Sequence, residues 1–190
     1  MEAERLRSKL ATVEWKTDPF RYFYLENVFS DEFYAEILFN IPDLSRYHRY
    51  NDKYANRYLY NINETDTFWS KIDRMFRDVY GENIRVQLCK DLAGYSIGPH
   101  TDGKKEVSTI LFYLPKYGDK QDHGTSVYTP KDKDFACDGS KHHSREGFDL
   151  LFTAPYKPNT AFGFIRSDNS FHGVEPTTKE RDLMQVSVWR

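Results

Sequence analysis

A histidine and an aspartate stand two positions apart at His100-Thr101-Asp102, and a second histidine, His172, and an arginine, Arg181, follow far downstream. Two imidazoles and one carboxylate gathered on one face of a ferrous ion leave the opposite face open. An iron centre that must hold both a chelating co-substrate and dioxygen needs that arrangement. The residue types alone carry little, because a His-x-Asp arises readily by chance in a chain with 6 histidines and many aspartates. Their surroundings carry more. His100 follows the turn-rich Gly94-Tyr95-Ser96-Ile97-Gly98-Pro99, His172 lies beyond an apolar run, and Arg181 opens another.

For His100 and Asp102 to converge on one ion they must sit in a strand-turn context, where residues two apart point to the same side. The third ligand has to come from a neighbouring strand. Short β-branched and aromatic runs over 84–92, 107–114, 148–153, 160–165 and 183–189 supply such strands, separated by clusters of Gly, Pro, Asn and Asp. This texture predicts an antiparallel sandwich or barrel rather than a βαβ repeat. Upstream, Ser30 can cap a helix carrying Phe33, Ile37 and Leu38 until Pro42 stops it. From Thr65 a second helix places Phe68, Trp69, Ile72, Met75, Phe76, Val79 and Tyr80 on one stripe and ends at Gly81, the pattern of a helix packed on a sheet. The fold class expected is mainly β with flanking α-helices. A jelly-roll core occupies 83–190, and 1–82 forms a helical support with a substrate-loop region.

Two segments read as loops. Residues 46–61 are dense in Tyr47, Tyr50, Tyr54, Tyr58, Tyr60, Arg46, Arg49, Arg57 and His48, which can either grip a polar ligand or form an ordinary wet surface. Residues 115–147 are polar and long enough to be either a lid over the barrel mouth or a disordered stretch. The cluster Cys137, His142 and His143 within it reads as a lone cysteine beside a flexible histidine pair, not as a second metal site.

The 190 residues fit one domain. With 27 basic against 29 acidic residues, the charge balance gives no whole-molecule attraction to nucleic acid or to an anionic membrane. Cys89 and Cys137 form no CxxC and suggest a reducing compartment. The N-terminal stretch is charged and has no apolar run, so the location expected is cytoplasmic. An aromatic content of 16% suits half-buried sheet faces and aromatic-lined pockets.

Over roughly 84–189 the chain resembles the prolyl-hydroxylase branch of the iron(II)/2-oxoglutarate-dependent oxygenases. Three segments in order carry the likeness. They are Gly94-Tyr95-Ser96-Ile97-Gly98-Pro99-His100-Thr101-Asp102-Gly103, then Ser108-Thr109-Ile110-Leu111-Phe112-Tyr113-Leu114, then His172-Gly173-Val174-Glu175-Pro176 leading to Arg181. The resemblance implies a double-stranded β-helix with His100, Asp102 and His172 as Fe(II) ligands and Arg181 as partner of the distal carboxylate of 2-oxoglutarate. Tyr113 would share that carboxylate through its hydroxyl, with Thr109 on the same strand face also in the co-substrate site. Tyr95, Arg166 and Trp189 would face the substrate. Where many relatives carry a Gly-Gly-Glu-Thr-like turn, this chain has His123-Gly124-Thr125-Ser126, so a contact from the acidic residue is not expected.

The reaction implied is hydroxylation of an unactivated C–H bond by O2, with release of succinate and CO2. Asp102 favours hydroxylation, since related halogenases lack that carboxylate. A polar small molecule is the first expectation for the substrate and a protein side chain the second; nucleic acid and membrane are not expected as partners. The alternative class is a cupin-like metalloenzyme that is not an oxygenase, which has no need of Arg181. Oligomeric state is not legible in the sequence.

Overall fold

The computed structural model describes residues 1–50, 56–62, 65–116, 123–137, 139 and 141–190. Among the described residues three α-helices, α1 (Glu2–Thr12), α2 (Asp31–Phe39) and α3 (Thr67–Tyr80), accompany eleven strands. The strands are β1 (Tyr22–Glu26), β2 (His48–Arg49), β3 (Arg57–Asn61), β4 (Ile84–Asp91), β5 (Ile97–His100) and β6 (Glu106–Tyr113), followed by β7 (Ser126–Pro130), β8 (Phe148–Thr153), β9 (Thr160–Ile165), β10 (His172–Val174) and β11 (Arg181–Trp189). They form a large sheet in the order β1-β9-β6-β11-β4-β3-β2 and a small one in the order β5-β10-β7-β8. Every pairing is antiparallel.

The period of two along the central strands decides what each face does. Ile84, Val86 and Leu88 of β4, Ile110 and Phe112 of β6, and Met184 and Val186 of β11 face the helices, where they pack with Leu6, Phe29, Ile37, Trp69, Ile72 and Phe76. The intervening residues Cys89, Leu111, Tyr113 and Leu183 face the small sheet and join Val127, Phe162 and Phe164. Each of these side chains contributes about 1.5–3 kcal/mol by leaving water. The helix-facing core therefore stiffens the large sheet, and the opposite face is left to line a cavity.

Local signals set the helix ends. The Ser30 hydroxyl accepts from the Phe33 amide at 3.3 Å, and Asp66 accepts from the Trp69 amide at 3.2 Å. α3 thus starts at Thr67, two residues after the Thr65 start expected, because Asp66 serves as the cap. Gly81 closes it at a φ of 88°, a conformation that only glycine adopts without strain. No helix of the described residues is long and apolar enough to cross a membrane.

Both segments read as loops contain strands. Residues 46–61 carry the β2–β3 hairpin arms, with Tyr54 in the stretch 51–55 that lies outside the described residues. Residues 115–147 carry β7 and a short 3-10 turn at Arg145–Gly147, while 117–122, 138 and 140 lie outside the described residues. Proline hides β5 from a sequence reading. Pro99 stands in an edge strand, where a missing amide donor does no harm, and Pro130 is the last residue of β7, which lies between β10 and β8.

The start of β9 is anchored to the segment before α2 by Asn159. Its side chain accepts from the Phe29 amide at 2.9 Å and donates to the Phe29 carbonyl at 2.9 Å, while its backbone sits at a φ of 54°. Asn159→Ala leaves two buried backbone groups unpaired and places alanine in a left-handed conformation. Urea unfolding should show a loss of about 2–4 kcal/mol; a loss under about 1 kcal/mol would mean that this anchor does not secure the strand.

Candidate metal centre and cavity

β5 and β10 pair so that His100 and His172 lie directly opposite one another, and Asp102 follows two residues past the end of β5. Their ligating atoms all fall within 4.8 Å of one another. His172 Nε2 is 3.4 Å and His100 Nε2 3.9 Å from Asp102 Oδ1, and the two imidazole centroids are 4.3 Å apart. Each Nδ1 meets a backbone carbonyl at 3.0 Å, of Gly98 for His100 and of Ser170 for His172. A carbonyl accepts only from an N–H, so both protons sit on Nδ1 in the neutral rings and both Nε2 lone pairs turn inward. Thr109 donates its hydroxyl to Asp102 Oδ2 at 2.6 Å, which leaves Oδ1 facing the imidazoles. The Phe164 ring, 4.3 Å from that of His172, closes one side.

Electrostatics without a metal show what the ion would replace. Burial pushes His100 down to about 3, and the charge of neighbouring His172 pushes the same way. For His172 burial works against the charged form, but Asp102 outweighs it and raises the imidazole above its usual range. Burial likewise opposes ionisation of Asp102, yet His172, His100 and the Thr109 hydroxyl hold it well below the usual carboxylate range. The metal-free site is therefore a His172–Asp102 ion pair with a neutral His100 beside it. Three inward-facing donors, two nitrogen and one oxygen, fit a divalent transition metal with coordination positions left over.

The trio opens on a cavity of about 700 Å³ whose wall includes Thr109, Leu111, Gln185, Tyr95, Arg57 and Arg181. Arg181, at the first position of β11, is 1% exposed. Its Nη1 donates to the carbonyls of His123 at 2.7 Å and Gly124 at 3.3 Å, and its Nε lies 3.1 Å from Asp91 Oδ2 as an ion pair without hydrogen-bond alignment. The guanidinium is thereby fixed, and among the described residues nothing accepts from its Nη2.

The other expected site residues take more varied places. Tyr113 is fully buried, and its hydroxyl is used twice by Thr125, donating to Oγ1 and accepting from the amide, both at 2.9 Å. Thr125, not Tyr113, stands on the cavity wall. Thr109 does line the cavity, but its hydroxyl is spent on Asp102. Both side chains lie on the inner face, as the strand period requires; the partners of their hydroxyls come from tertiary structure, which periodicity does not encode. Arg166 is off the wall, donating from Nε to the Asp102 carbonyl at 3.1 Å and pairing with Asp168. Tyr95 and Trp189 are on the wall, each beside a guanidinium: Arg57 lies 4.6 Å from the Tyr95 ring and Arg85 5.4 Å from that of Trp189.

Sequence reasoning set His142 aside as part of a loop, yet its ring lies 4.7 Å from that of His100 on the cavity wall; it missed Glu106, whose carboxyl is pushed up to about 7 by burial and then by Asp102. It also missed Asp91. His142 was legible only as part of a loop, and Asp91 only as the end of a buried strand.

No protein-family model matches the chain, and no curated protein matches it in sequence. Solved structures do match in fold. A Pseudomonas putida prolyl-4-hydroxylase aligns at a TM-score of 0.60 and 13% identity, covering 100% of this chain and 99% of that one. A prolyl hydroxylase from Trichoplax adhaerens, in complex with a peptide fragment of the hypoxia inducible factor oxygen degradation domain, aligns at 0.60 and 12%, covering 98% and 88%. The epimerase SnoN, in complex with Fe3+, alpha ketoglutarate and nogalamycin RO, aligns at 0.53 and 11%, covering 98% and 83%. The chain thus has the double-stranded β-helix fold of the 2-oxoglutarate oxygenases.

Two outcomes are expected of metal titrations. Thr109→Val keeps shape but removes the hydrogen bond to Asp102, and should weaken divalent-metal binding about 10–100-fold with the fold intact; unchanged affinity would show that Thr109 does not orient the carboxylate. Because a metal takes the Nε2 that His172 protonates in the free protein, binding releases a proton below the raised value of that histidine. Affinity should therefore rise with pH through that range, and calorimetry in two buffers of different ionisation enthalpy detects the released proton. A flat profile through and just above the usual imidazole range would contradict the His172–Asp102 pair.

Proposed function

We propose that this chain is an Fe(II)- and 2-oxoglutarate-dependent dioxygenase that hydroxylates an unactivated C–H bond of a polar small molecule. The carrying observation is the meeting of His100, Asp102 and His172 in the same cavity as the buried, partly committed guanidinium of Arg181. When bound, iron would supply the site at which O2 oxidises both partners, one oxygen atom going into the succinate formed with CO2 from 2-oxoglutarate and the other into the substrate. The protein's own residues bind and orient. His100, Asp102 and His172 hold the metal from one side, with Thr109 fixing the carboxylate and the Gly98 and Ser170 carbonyls fixing the rings. Arg181 receives the distal carboxylate, because a charged, forked donor with little freedom left binds it at low entropic cost.

Leu111 and the Tyr95 ring make the wall apolar where water is to be excluded, and Gln185 offers a polar contact. A volume of about 700 Å³ suits a metabolite-sized ligand. A second reading, a protein side-chain hydroxylase, has its own support. A further cavity of about 1240 Å³ shares Tyr50, Leu59, Arg85 and Gln87 with the first and continues past β3 towards α3, room for a longer chain. On either reading the chain works as one domain, and the unpaired Cys89 and Cys137 suit the reducing cytoplasm.

The test is a succinate-release screen over metabolite pools and peptides, run with wild type and Arg181→Ala. Wild type should convert 2-oxoglutarate to succinate in an Fe(II)- and O2-dependent way. Arg181→Ala should lose at least about 30-fold in kcat/KM for 2-oxoglutarate, the equivalent of about 2 kcal/mol or more for a truncated buried charge. Full turnover by the variant, or none by metal-loaded wild type with any substrate, would favour a metalloenzyme that does not use 2-oxoglutarate.

A further inference from the structure

Three charged residues form a row across the middle of the large sheet. Arg57 of β3 and Arg181 of β11 stand opposite Asp91 from either side of β4. Residues so paired point to one face, so two guanidinium groups flank a single carboxylate. Arg57 grips it with two parallel bonds, Nε to Oδ1 at 2.6 Å and Nη2 to Oδ2 at 2.9 Å, while Arg181 Nε stands 3.1 Å from Oδ2. Asp91 is completely buried and Arg181 is 1% exposed. Two positive charges against one negative leave an excess positive charge in a nearly dry place, which is costly unless an anion joins it.

The donors show where that anion would go. Arg181 Nη1 is held by the His123 and Gly124 carbonyls, and Arg57 has committed Nε and Nη2 to Asp91. Among the described residues nothing accepts from Arg57 Nη1 or Arg181 Nη2, and both residues line the cavity. The Tyr95 ring lies against Arg57 at 4.6 Å and restricts its swing. One spare donor on Arg181 serves the co-substrate in the function proposed above; a second guanidinium with a spare donor is more than that role requires.

We propose that Arg57 is a second anion-binding group of this cavity, held beside Arg181 by Asp91, and that its ligand is a carboxylate. The carboxylate belongs either to the distal end of 2-oxoglutarate or to the primary substrate; the assignment to these two sources rests on the oxygenase reading, whereas the anion site itself does not.

Calorimetry on wild type and Arg57→Gln decides this in two arms. In the first, succinate is titrated into the metal-free protein, where affinity should fall about tenfold in the variant, equivalent to about 1.4 kcal/mol. In the second, the protein is loaded with cobalt(II) under argon and titrated with 2-oxoglutarate and with 2-oxobutyrate, which lacks the distal carboxylate. Acetate is then titrated into the cobalt(II) and 2-oxoglutarate complex. A selective loss for 2-oxoglutarate, with 2-oxobutyrate unchanged, assigns Arg57 to the co-substrate. Unchanged keto acids with lost acetate binding assign it to the primary substrate.

The proposal is overturned if succinate, acetate and 2-oxoglutarate all keep their affinity within about twofold, or if 2-oxobutyrate weakens in step with 2-oxoglutarate, which would mean the substitution merely loosened the site. Should wild type fail to bind 2-oxoglutarate at all, the oxygenase reading falls while the succinate arm still decides the role of Arg57. If Arg57→Gln does not fold, Arg57→Lys keeps the ion pair to Asp91 but not the spare forked donor, and the same pattern is expected of it.

Discussion

The register of one short strand pair governs the rest of this structure. β10 has three residues and β5 four, yet their alignment alone brings His172 across from His100. A slip of one residue would turn an imidazole to the opposite face of the sheet and dissolve the site. So short a pair has little ladder of its own, and the register is enforced from outside. Gly173 packs so closely on β5 that a Cβ there would lie 2.5 Å from the Ile97 carbonyl oxygen. Arg145 clamps both strands, donating to Ile97 O at 3.1 Å, Val174 O at 2.7 Å and Ser96 Oγ at 2.9 Å, while Glu175 at 2.7 Å holds the guanidinium in place.

The charged groups inside the double sheet follow one economy: each is tied by something that also sets its direction. Thr109 turns Asp102, the Gly98 and Ser170 carbonyls turn the two imidazoles, and Asp91 with two backbone carbonyls turns Arg181. Lys90 and Asp182, on the other side of the same strands, neutralise one another at 2.5 Å. Groups held this way meet a ligand with little reorganisation, which is how a fold converts rigidity into affinity. The helices contribute from a distance. Trp69, Ile72 and Phe76 press on Phe112 and Met184, so the strands that carry Thr109 and Arg181 cannot shift independently.

Much of this was legible in the sequence because its signals are local. The run 160–165 reads as a strand from β-branched and aromatic residues, and the stripe from Phe68 to Tyr80 reads as a helix from its period; both are present. The His-x-Asp, His172 and Arg181 were legible because the chemistry restricts residue type. What escaped depends on contacts distant in the chain. β5 escaped because proline argues against a strand until one knows that the strand is an edge, and β7 because its short run is embedded in a long polar stretch. The hydroxyls of Thr109 and Tyr113 were placed on the correct face, but their partners, Asp102 and Thr125, are fixed by the crossing of chain segments. Arg57 looked like one arginine among several, and only the register of three strands separates it from Arg46 and Arg49.

The proposed activity requires one ion bound by three side chains. The most direct measurement is anomalous diffraction at the iron edge from crystals loaded with Fe(II) under anaerobic conditions. It should show a single iron at about 2.0–2.2 Å from Nε2 of His100, Nε2 of His172 and an oxygen of Asp102, with the two Nδ1 atoms still on the Gly98 and Ser170 carbonyls. Iron elsewhere in the chain, or coordination that leaves out His172, would contradict it.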